Sequence, residues 1–275
     1  MTIQAENPTG SGAGAARTFS VALEGVVYTL VDVHEGHDAQ FEDWYENDHF
    51  YAGGTLAPYV LSGRRWYASK ALRESRFAAA ACPLPDSYAG TNLATYFLTT
   101  GGLRHFYGWI NPQLATLRAG GRMFADRTHV NTDGYRAESV LRFAGASAVP
   151  AHVAGDHPFE GLFVCYADAS GHGTPDDSAA LPTGSLAISL RPNTGSLTAT
   201  SLGLTGAQPG MDFPRLGGEP VRLLMVFLTE VPPADPEWSA ELADRAARLT
   251  GSRAIWGGAF LPVVPGSRAH LDELR

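Results

Sequence analysis

The sequence predicts an α+β protein built from two consecutive β-α-β-β-α-β units, the element order of ferredoxin-like proteins. Three observations support this prediction. Strand-like and helix-like runs follow the pattern in the first half, the second half repeats it more loosely, and short sequence matches recur in the same order in both halves. With 275 residues, of which 44% are hydrophobic, the chain is able to bury a sizeable core.

The first unit is predicted over residues 19–145, after a flexible tail over residues 1–18 that is rich in glycine, alanine and small polar residues. Its elements are, in order, the strand Val26–His34, the helix Asp38–Leu56, the strands Tyr59–Tyr67 and Asn92–Thr100, the helix Leu103–Gly121 and the strand Arg122–Val130. Asp38 is suited to cap the first helix, and Gly53 and Gly54 are a stop signal. Pro112 either kinks the second helix or divides it.

The second unit is predicted over residues 146–275 and is degenerate. Its elements are the strands Glu160–Asp168, Ser185–Pro192, Ser196–Leu204 and Pro220–Val231, the helix Pro236–Gly251 and the strand Ser252–Val263. Residues 171–184 are rich in helix breakers and have no helical period, so we expect the first helix of this unit to be lost. The first unit is therefore expected to carry the site, and the second to be mainly scaffold.

Matching segments in the two halves indicate a duplication. Phe97–Thr99 recurs as Phe227–Thr229, and the octapeptide Leu117–Phe124 corresponds to Leu249–Trp256. The matches fall in order at a separation of about 130 residues, as expected for an internal repeat.

Charge and composition argue against several classes of protein. The 28 acidic and 20 basic residues give a net charge of −8, which would repel a phosphate backbone, so no nucleic-acid partner is expected. No apolar stretch approaches the roughly 18 residues of a membrane helix, and the N-terminal residues do not resemble a signal peptide; we expect a cytoplasmic protein with no membrane partner. Two cysteines are too few for a disulfide framework or a multi-cysteine metal site.

The predicted helix Asp38–Leu56 is the most informative segment. At roughly 100° per residue its apolar face includes Phe41 and Tyr45, with Trp44 at the edge. Asp48 falls near the centre of this face and His49 on its flank. A carboxylate that faces a core is costly unless it is paired, and such groups are often functional. Two interpretations stay open: Asp48 binds Arg64 or Arg65 and His49 is an ordinary core or edge histidine, or both belong to a pocket.

The pattern Phe41-x-x-Trp44-Tyr45-x-x-x-His49, followed by Pro58–Trp66 with its two adjacent arginines, resembles the EthD-like group of dimeric α/β-barrel proteins. The resemblance covers residues 26–67, and the chain differs from the group in having Tyr59 at a position usually occupied by glycine and in its Asp48–His49 pair. In such folds two ferredoxin-like units pack into a barrel, with a ligand cavity between sheet and helices. This chain also differs from the group in fusing both units, which implies that one chain can form the barrel by itself; a homodimer is a possible assembly.

The resemblance also implies roles for individual residues. His49 is the candidate general base or acid, because the ordinary pKa of histidine suits proton transfer near neutral pH, and Asp48 would tune it or act as the acid. Arg64 and Arg65 alternate across their strand, so one of them would point into the cavity and anchor a carboxylate or enolate oxygen. The remaining candidates would bind the substrate, mostly as an aromatic wall: Trp44, Tyr45, Phe41, Trp66 and His105.

The sequence and the resemblance together predict a small-molecule enzyme without a cofactor. It would act on an apolar aromatic or polyketide-like molecule of specialised metabolism, by acid–base chemistry (cyclisation, dehydration or isomerisation) or by cofactor-free oxygenation. The alternatives are a haem- or metal-dependent enzyme on the same barrel, a non-catalytic binding protein and a structural dimerisation unit. His34 and His37 could bind a metal with a remote third ligand, although a solvated turn explains them as well; no metal site is predicted.

Overall fold

The computed structural model describes residues 4–6 (as backbone), 21–84, 86–143, 149–168, 170, 173–176, 179–192 and 221–275. The strands are β1 Gln4–Glu6, β2 Leu23–Val33, β3 Val60–Tyr67, β4 Phe77–Ala78, β5 Asn92–Thr99, β6 Arg127–Arg142, β7 Gly161–Asp168, β8 Leu186–Pro192, β9 Val221–Leu228 and β10 Arg253–Pro262. The α-helices are α1 Asp38–Trp44, α2 Lys70–Glu74, α3 Gly102–Ala119 and α4 Pro236–Arg248. Two π-helical segments, Tyr45–His49 and Tyr51–Thr55, follow α1, and the short 3₁₀ segments are Ala151–Val153 and Ala269–Glu273.

Eight strands form a closed antiparallel barrel. Their order is β6-β2-β5-β3-β10-β7-β9-β8, and β8 pairs with β6 to close the ring. The pairing of β10 with β3 is short and joins Leu261 to Tyr67 and Pro262 to Trp66, whereas β7 pairs with β10 along most of its length. The two small strands lie beside the ring, β1 on β6 and β4 on β10.

The alternation of side chains on β2 divides the apolar residues into two layers. Tyr28 and Leu30 point into the barrel and belong to its central core, while Val27 and Val31 face outward to the helices of the first half. Helix α3 and the helical segment 38–55 cover that outer face, and α4 covers β7 and β10 of the second half. The space between sheet and helices in the first half is where the candidate site lies.

Arg76 fills one end of the barrel interior. It is buried, and its guanidinium donates to the carbonyl oxygens of Tyr88, Ala89 and Gly90 at 2.6–2.8 Å. Its Cζ also lies 5.1 Å from the ring centroid of Trp256. Burial lowers the pKa of Arg76 to about 10, which keeps it charged at neutral pH. Its contacts join the segment between α2 and β5 to β10.

Most predicted elements agree with the structure within a few residues. The predicted strand Arg122–Val130 is wrong: β6 begins at Arg127 and continues to Arg142. The polar residues after Val130 are typical of a loop that ends a strand. In the structure Asn131 donates to the hydroxyls of Tyr135 and Tyr166, and these hydrogen bonds allow the polar side chain to lie in a buried strand.

The remaining predictions concern Pro112, three segments of the chain and membrane-spanning helices. Pro112 lies inside α3, which is continuous. The predicted strand 196–204 lies outside the described residues, as does the predicted tail 1–18 apart from residues 4–6, and residues 171–184 are described only in part. Within the described ranges, none of the helices has the length and apolar composition needed to cross a bilayer.

Candidate functional site

A cavity lies between the outer face of the sheet and the helical layer of the first half. Its volume is about 600 Å³ when the part that is open to solvent is included. The apolar part of the wall comes from β2, α3 and the loop after α3, namely Val27, Val31, Phe106, Ile110, Leu114 and Met123. The polar side chains come from the π-helical segment, β2, β5 and β6, namely Tyr45, His49, Thr29, Tyr96, Arg127, His129 and Thr132. The cavity therefore combines an apolar wall with a limited set of polar groups, as small-molecule sites commonly do.

His49 contributes a buried nitrogen to this cavity. Its ring stacks on Trp44, with 4.2 Å between centroids and 18° between planes. Its Nδ1 is buried and has no hydrogen-bond partner among the described residues. Gly53 makes room for the ring, since a Cβ there would lie 2.6 Å from Cε1 of His49. Burial, followed by the positive charge of Arg127, lowers the pKa of His49 to about 3, so the imidazole is neutral at pH 7.

Arg127 and His129 are site residues that sequence reasoning missed. Both are buried on the outer face of β6. Nε of Arg127 donates to Nε2 of His129 at 3.4 Å, and Nδ1 of His129 lies 2.7 Å from Oγ1 of Thr132. The Arg127 guanidinium also donates to the carbonyl of Phe124, and its Cζ lies 4.8 Å from the ring centroid of Trp44. Burial and the neighbouring guanidinium hold the pKa of His129 well below its usual range.

A pair of tyrosine hydroxyls adds to the polar lining. Oη of Tyr45 lies 3.3 Å from Oη of Tyr96, and burial raises the pKa of both, so both are neutral. Phe41 stacks on Tyr45 with 5.2 Å between centroids. The predicted aromatic residues Phe41, Trp44 and Tyr45 thus lie together beside His49, with Phe41 buried behind Tyr45.

Arg65 and Arg64 point to opposite faces of β3, as expected from strand geometry. Arg65 faces the helices, where it forms an ion pair with the buried Glu42 and stacks over Tyr45, with its Cζ 5.1 Å from the ring centroid. Arg64 lies on the barrel side, over Trp66, and donates to the carbonyl of His157. Arg65 is therefore the arginine next to the cavity. It does not line the cavity but contacts Tyr45, which does.

Glu42 joins the site helix to the C-terminal segment. Its side chain is 1% exposed and lies 3.4 Å from Nε2 of His270, in addition to its contact with Arg65. Arg268 of the same segment reaches Glu46 at 2.9 Å and Asp43 at 2.7 Å. The C-terminal segment thereby fixes the helix that carries Tyr45 and His49.

The structure corrects the expected position of Asp48. Asp48 lies at the surface, where it forms an ion pair with Arg122, and it binds neither Arg64 nor Arg65. The physical reason is the π-helical geometry after Trp44: each N–H bonds to the carbonyl five residues earlier, so side chains rotate away from the positions given by an α-helical wheel. The hydrogen bond from Arg122 lowers the pKa of Asp48 and keeps it ionised.

Two predicted substrate-binding residues lie elsewhere. Trp66 follows Arg65 on β3, so its side chain points to the other face of the sheet. It is fully buried on the barrel side, where it contacts Phe227. His105 is exposed on α3 and stacks on Tyr59, with 4.6 Å between centroids. Neither side chain lines the His49 cavity.

His34 and His37 both lie near Asp126, with 3.8 Å and 3.6 Å from their Nδ1 atoms to the carboxylate. All three side chains are about half exposed. Among the described residues, no group of three or more histidine, cysteine, aspartate or glutamate side chains is arranged to hold a metal ion.

Gly54 sets the distance between the π-helical segment and the sheet. A Cβ at this position would overlap the buried ring of Tyr96, whereas a Cβ at Gly108 on α3 would meet nothing within 4 Å. We expect Gly54→Ala to lower the free energy of unfolding by about 1–3 kcal/mol, and Gly108→Ala to raise it by about 0.5–1 kcal/mol. Urea denaturation of both variants measures this difference. Equal effects in the two variants would contradict the close approach at Gly54.

No family model matches the chain, and no curated protein matches it either. Among solved structures, the dye-decolorizing protein from V. cholerae has a TM-score of 0.38 and 11% sequence identity, over 87% of this chain and 93% of that chain. A likeness at this score is too weak to carry an argument about function.

Proposed function

We propose that this chain is a small-molecule enzyme that performs cofactor-independent acid–base chemistry on an apolar aromatic substrate in the His49 cavity. The observation that carries the proposal is the buried Nδ1 of His49, which has no hydrogen-bond partner among the described residues and belongs to a neutral ring on the wall of a largely apolar cavity. A neutral imidazole in such a place can accept a proton from a bound molecule. Arg127, which comes from the sheet and also contacts Trp44, supplies a positive charge.

The proposed first step is proton abstraction. The lone pair of the His49 imidazole takes a proton from an acidic C–H or O–H group, and the electron pair left behind moves to the substrate oxygen. Arg127 stabilises this oxygen, because a fixed positive charge in a poorly solvated site lowers the energy of a developing anion. Return of the proton to another atom completes an isomerisation, and elimination of water or closure of a ring is the corresponding dehydration or cyclisation. The same anion would be the starting point for a cofactor-free oxygenation with dioxygen as co-reactant.

The weak basicity of free His49 is compatible with this role. The low pKa of His49 arises from burial and from Arg127. An anion formed next to both groups offsets the charge of Arg127 and raises the pKa of the imidazole at the moment when it receives the proton. In this proposal Arg127 takes the anchoring role expected for Arg64 or Arg65, while Arg65 positions Tyr45, and Asp48 holds Arg122 rather than acting as the acid.

We also propose that the barrel consists of two ferredoxin-like units. The support is the strand order: β6-β2-β5-β3 in the first half and β10-β7-β9-β8 in the second both place the fourth, first, third and second strands of a unit side by side. The cavity then lies between the sheet and helices of the first unit. The relation to EthD-like proteins is proposed as well, since Trp44, Tyr45 and His49 of the shared pattern contact one another and the last two line this cavity.

The histidines of the cavity do not fit the ligand pattern of a resident haem or metal. A ligating histidine usually donates its second ring nitrogen to a carboxylate, carbonyl or water. Nδ1 of His49 has no partner among the described residues and could ligate, but the positive charge of Arg127, which lowers the pKa of this ring, would repel a metal ion placed beside it. Nε2 of His129 faces the guanidinium of Arg127, a cation that would repel a metal ion. We therefore derive no step through either group.

Hydrogen–deuterium exchange of an enolisable aromatic ketone tests the proposal. With 2-tetralone in deuterated buffer, followed by NMR, we expect the protein to accelerate loss of the acidic C–H signal and His49→Gln to slow this reaction by about 10²–10⁴-fold. His105→Gln is the matched control, because that histidine is exposed and outside the cavity; it should leave the rate unchanged. Equal exchange rates for wild type and His49→Gln would refute the role of His49, and binding without exchange would favour the non-catalytic alternative.

A further inference from the structure

The polar groups of the cavity are concentrated around one aromatic ring. Trp44 contacts both the His49 ring, at 4.2 Å, and the Arg127 guanidinium, at 4.8 Å from Cζ to the ring centroid. Nε of Arg127 in turn reaches Nε2 of His129. Three nitrogen-bearing side chains therefore form one group, the nitrogen cluster (Arg127, His129 and His49), around the indole of Trp44.

Most of the wall away from the nitrogen cluster is apolar, apart from Thr29 and the Tyr45–Tyr96 pair. It is formed by outward-facing residues of β2 and by one face of α3, including Val27, Ile110 and Leu114. These side chains are buried against each other in the layer between sheet and helices. A ligand that fills the cavity must therefore carry an extended apolar surface and present a group at one end that suits a guanidinium.

The chemistry of the nitrogen cluster selects the charge of that group. A guanidinium prefers carboxylate, phenolate or enolate oxygens, to which its N–H groups donate charge-assisted hydrogen bonds. A neutral imidazole next to a cation cannot easily gain a proton, but it can do so when an anion arrives beside the cation. The buried Nδ1 of His49, which has no partner among the described residues, is an independent sign that a ligand atom belongs there.

We propose that the cavity selects aromatic monoanions, with the anionic oxygen at Arg127 and the rings on the apolar wall, and that binding is coupled to protonation of His49. This inference rests on the proposed function, because the enolate that proton abstraction would form at Arg127, beside a protonated His49, is such a monoanion.

The groups that face His49 come from several elements. Asp48 lies beside it on the same helical segment, Arg122 on the loop before β6, Arg127 and His129 on β6, and Tyr45 one turn earlier. The carboxylate of Asp48 raises the pKa of His49, while burial and the two arginines lower it, with burial the largest effect. An anionic ligand adds a second negative charge to this balance. The ring of the ligand-free chain has a pKa near 3 and is neutral between pH 8 and pH 5. Because a bound anion raises this pKa, binding should take up more protons as the pH falls from 8 towards 5.

Two fluorescent probes with nearly the same apolar skeleton test the inference. 8-Anilino-1-naphthalenesulfonate carries a permanent negative charge, and N-phenyl-1-naphthylamine carries none. We expect the anionic probe to bind the wild-type chain about tenfold or more tightly than the neutral one, the size expected for one charge-assisted contact. Calorimetric titrations in buffers of different ionisation enthalpy should show uptake of up to about one proton per anionic probe at pH 5 and almost none at pH 8.

Variants show where the probes bind and which residues cause the charge preference and the proton uptake. Ile110→Trp fills the cavity and should weaken both probes, so binding that survives it is counted as lying outside the cavity. Arg127→Gln should remove the preference for the anionic probe, and Arg136→Gln is the matched control, since Arg136 lies on the same strand and pairs with Glu24 instead. His49→Gln should remove proton uptake.

The outcomes separate the two proposals. If both probes occupy the cavity of the wild-type chain with equal affinity, or if the anionic probe binds at pH 5 without proton uptake, the inference is overturned while the proposed function stands. If neither probe occupies the cavity, the inference is overturned, and the exchange of 2-tetralone decides the proposed function independently. The comparison of the two probes needs only the wild-type chain, so a poorly folded Arg127 variant would not prevent the decision.

Discussion

Replacing Glu42 with glutamine should lower the free energy of unfolding by about 3–5 kcal/mol. Glu42 is buried between Arg65 and His270, and Arg268 lies 3.8 Å from its other oxygen. Removing one partner of a buried ion pair leaves the other charge poorly compensated, here with Glu46 at 3.8 Å as the remaining neighbour of Arg65, and costs about this much. Urea denaturation at pH 7 measures the loss. Asp43→Asn is the matched control, because Asp43 pairs with Arg268 at the surface and should cost no more than about 1 kcal/mol.

The same carboxylate predicts how stability depends on pH. Burial alone would raise the pKa of Glu42, but the contacts with His270 and Arg65 overcome this effect and lower it from 4.5 to about 2. Because the pKa of Glu42 is lower in the folded state, its ionised carboxylate stabilises the fold fully above the unfolded pKa, and this stabilisation is lost as the pH falls from about 4.5 towards 2. A pKa shift of this size corresponds to roughly 3 kcal/mol of stability. Unfolding curves of wild type and Glu42→Gln should therefore converge in this range. If they stay parallel down to pH 2.5, the carboxylate does not have the assigned role.

Replacing Arg76 with methionine should cost at least about 3 kcal/mol. Methionine fills much of the same volume but leaves the carbonyl oxygens of Tyr88, Ala89 and Gly90 without their donor inside the barrel. A buried acceptor that loses its partner costs about 1–3 kcal/mol, and acceptors of a charged donor are at the upper end of this range.

Arg76→Lys distinguishes the hydrogen bonds from the charge. Lysine keeps the positive charge but lacks the planar fork that reaches three carbonyls, so we expect a loss between those of wild type and Arg76→Met. Thermal and urea unfolding of the three proteins provides the comparison. A lysine variant as stable as wild type would show that charge alone is sufficient, and a methionine variant as stable as wild type would show that the end of the barrel does not depend on this side chain.

The architecture was accessible from sequence where apolar periodicity was strong. The strand Asn92–Thr99 was predicted to within one residue, since it has a clear period. The helix Pro236–Arg248 was predicted from its first residue but extended three residues too far, to Gly251. The long strand β6 was not, because its polar residues satisfy each other inside the sheet. A pattern that depends on hydrogen bonds between distant residues, such as that of Asn131 with Tyr166, cannot be recognised from local composition.

The site was accessible only in part. The aromatic pattern before His49 indicated the cavity, but the position of Asp48 required knowledge of the π-helical geometry that begins at Tyr45. Arg127 and His129 carried one usable signal, their spacing of two residues, which places both on one face of a strand. The predicted strand Arg122–Val130 contained both residues, but its local pattern did not show which of its faces meets the cavity.

The short pairing between β3 and β10 determines when the barrel can close during synthesis. β10 is made after all the other strands of the ring, and its last residues, Leu261 and Pro262, must find Trp66 and Tyr67 near the beginning of the chain. Until then β3 presents an open edge with unpaired backbone groups, and such edges readily pair with other chains. Contacts between residues so far apart in sequence form slowly. The nascent protein therefore spends most of its synthesis with one edge of its sheet exposed to association with neighbouring chains.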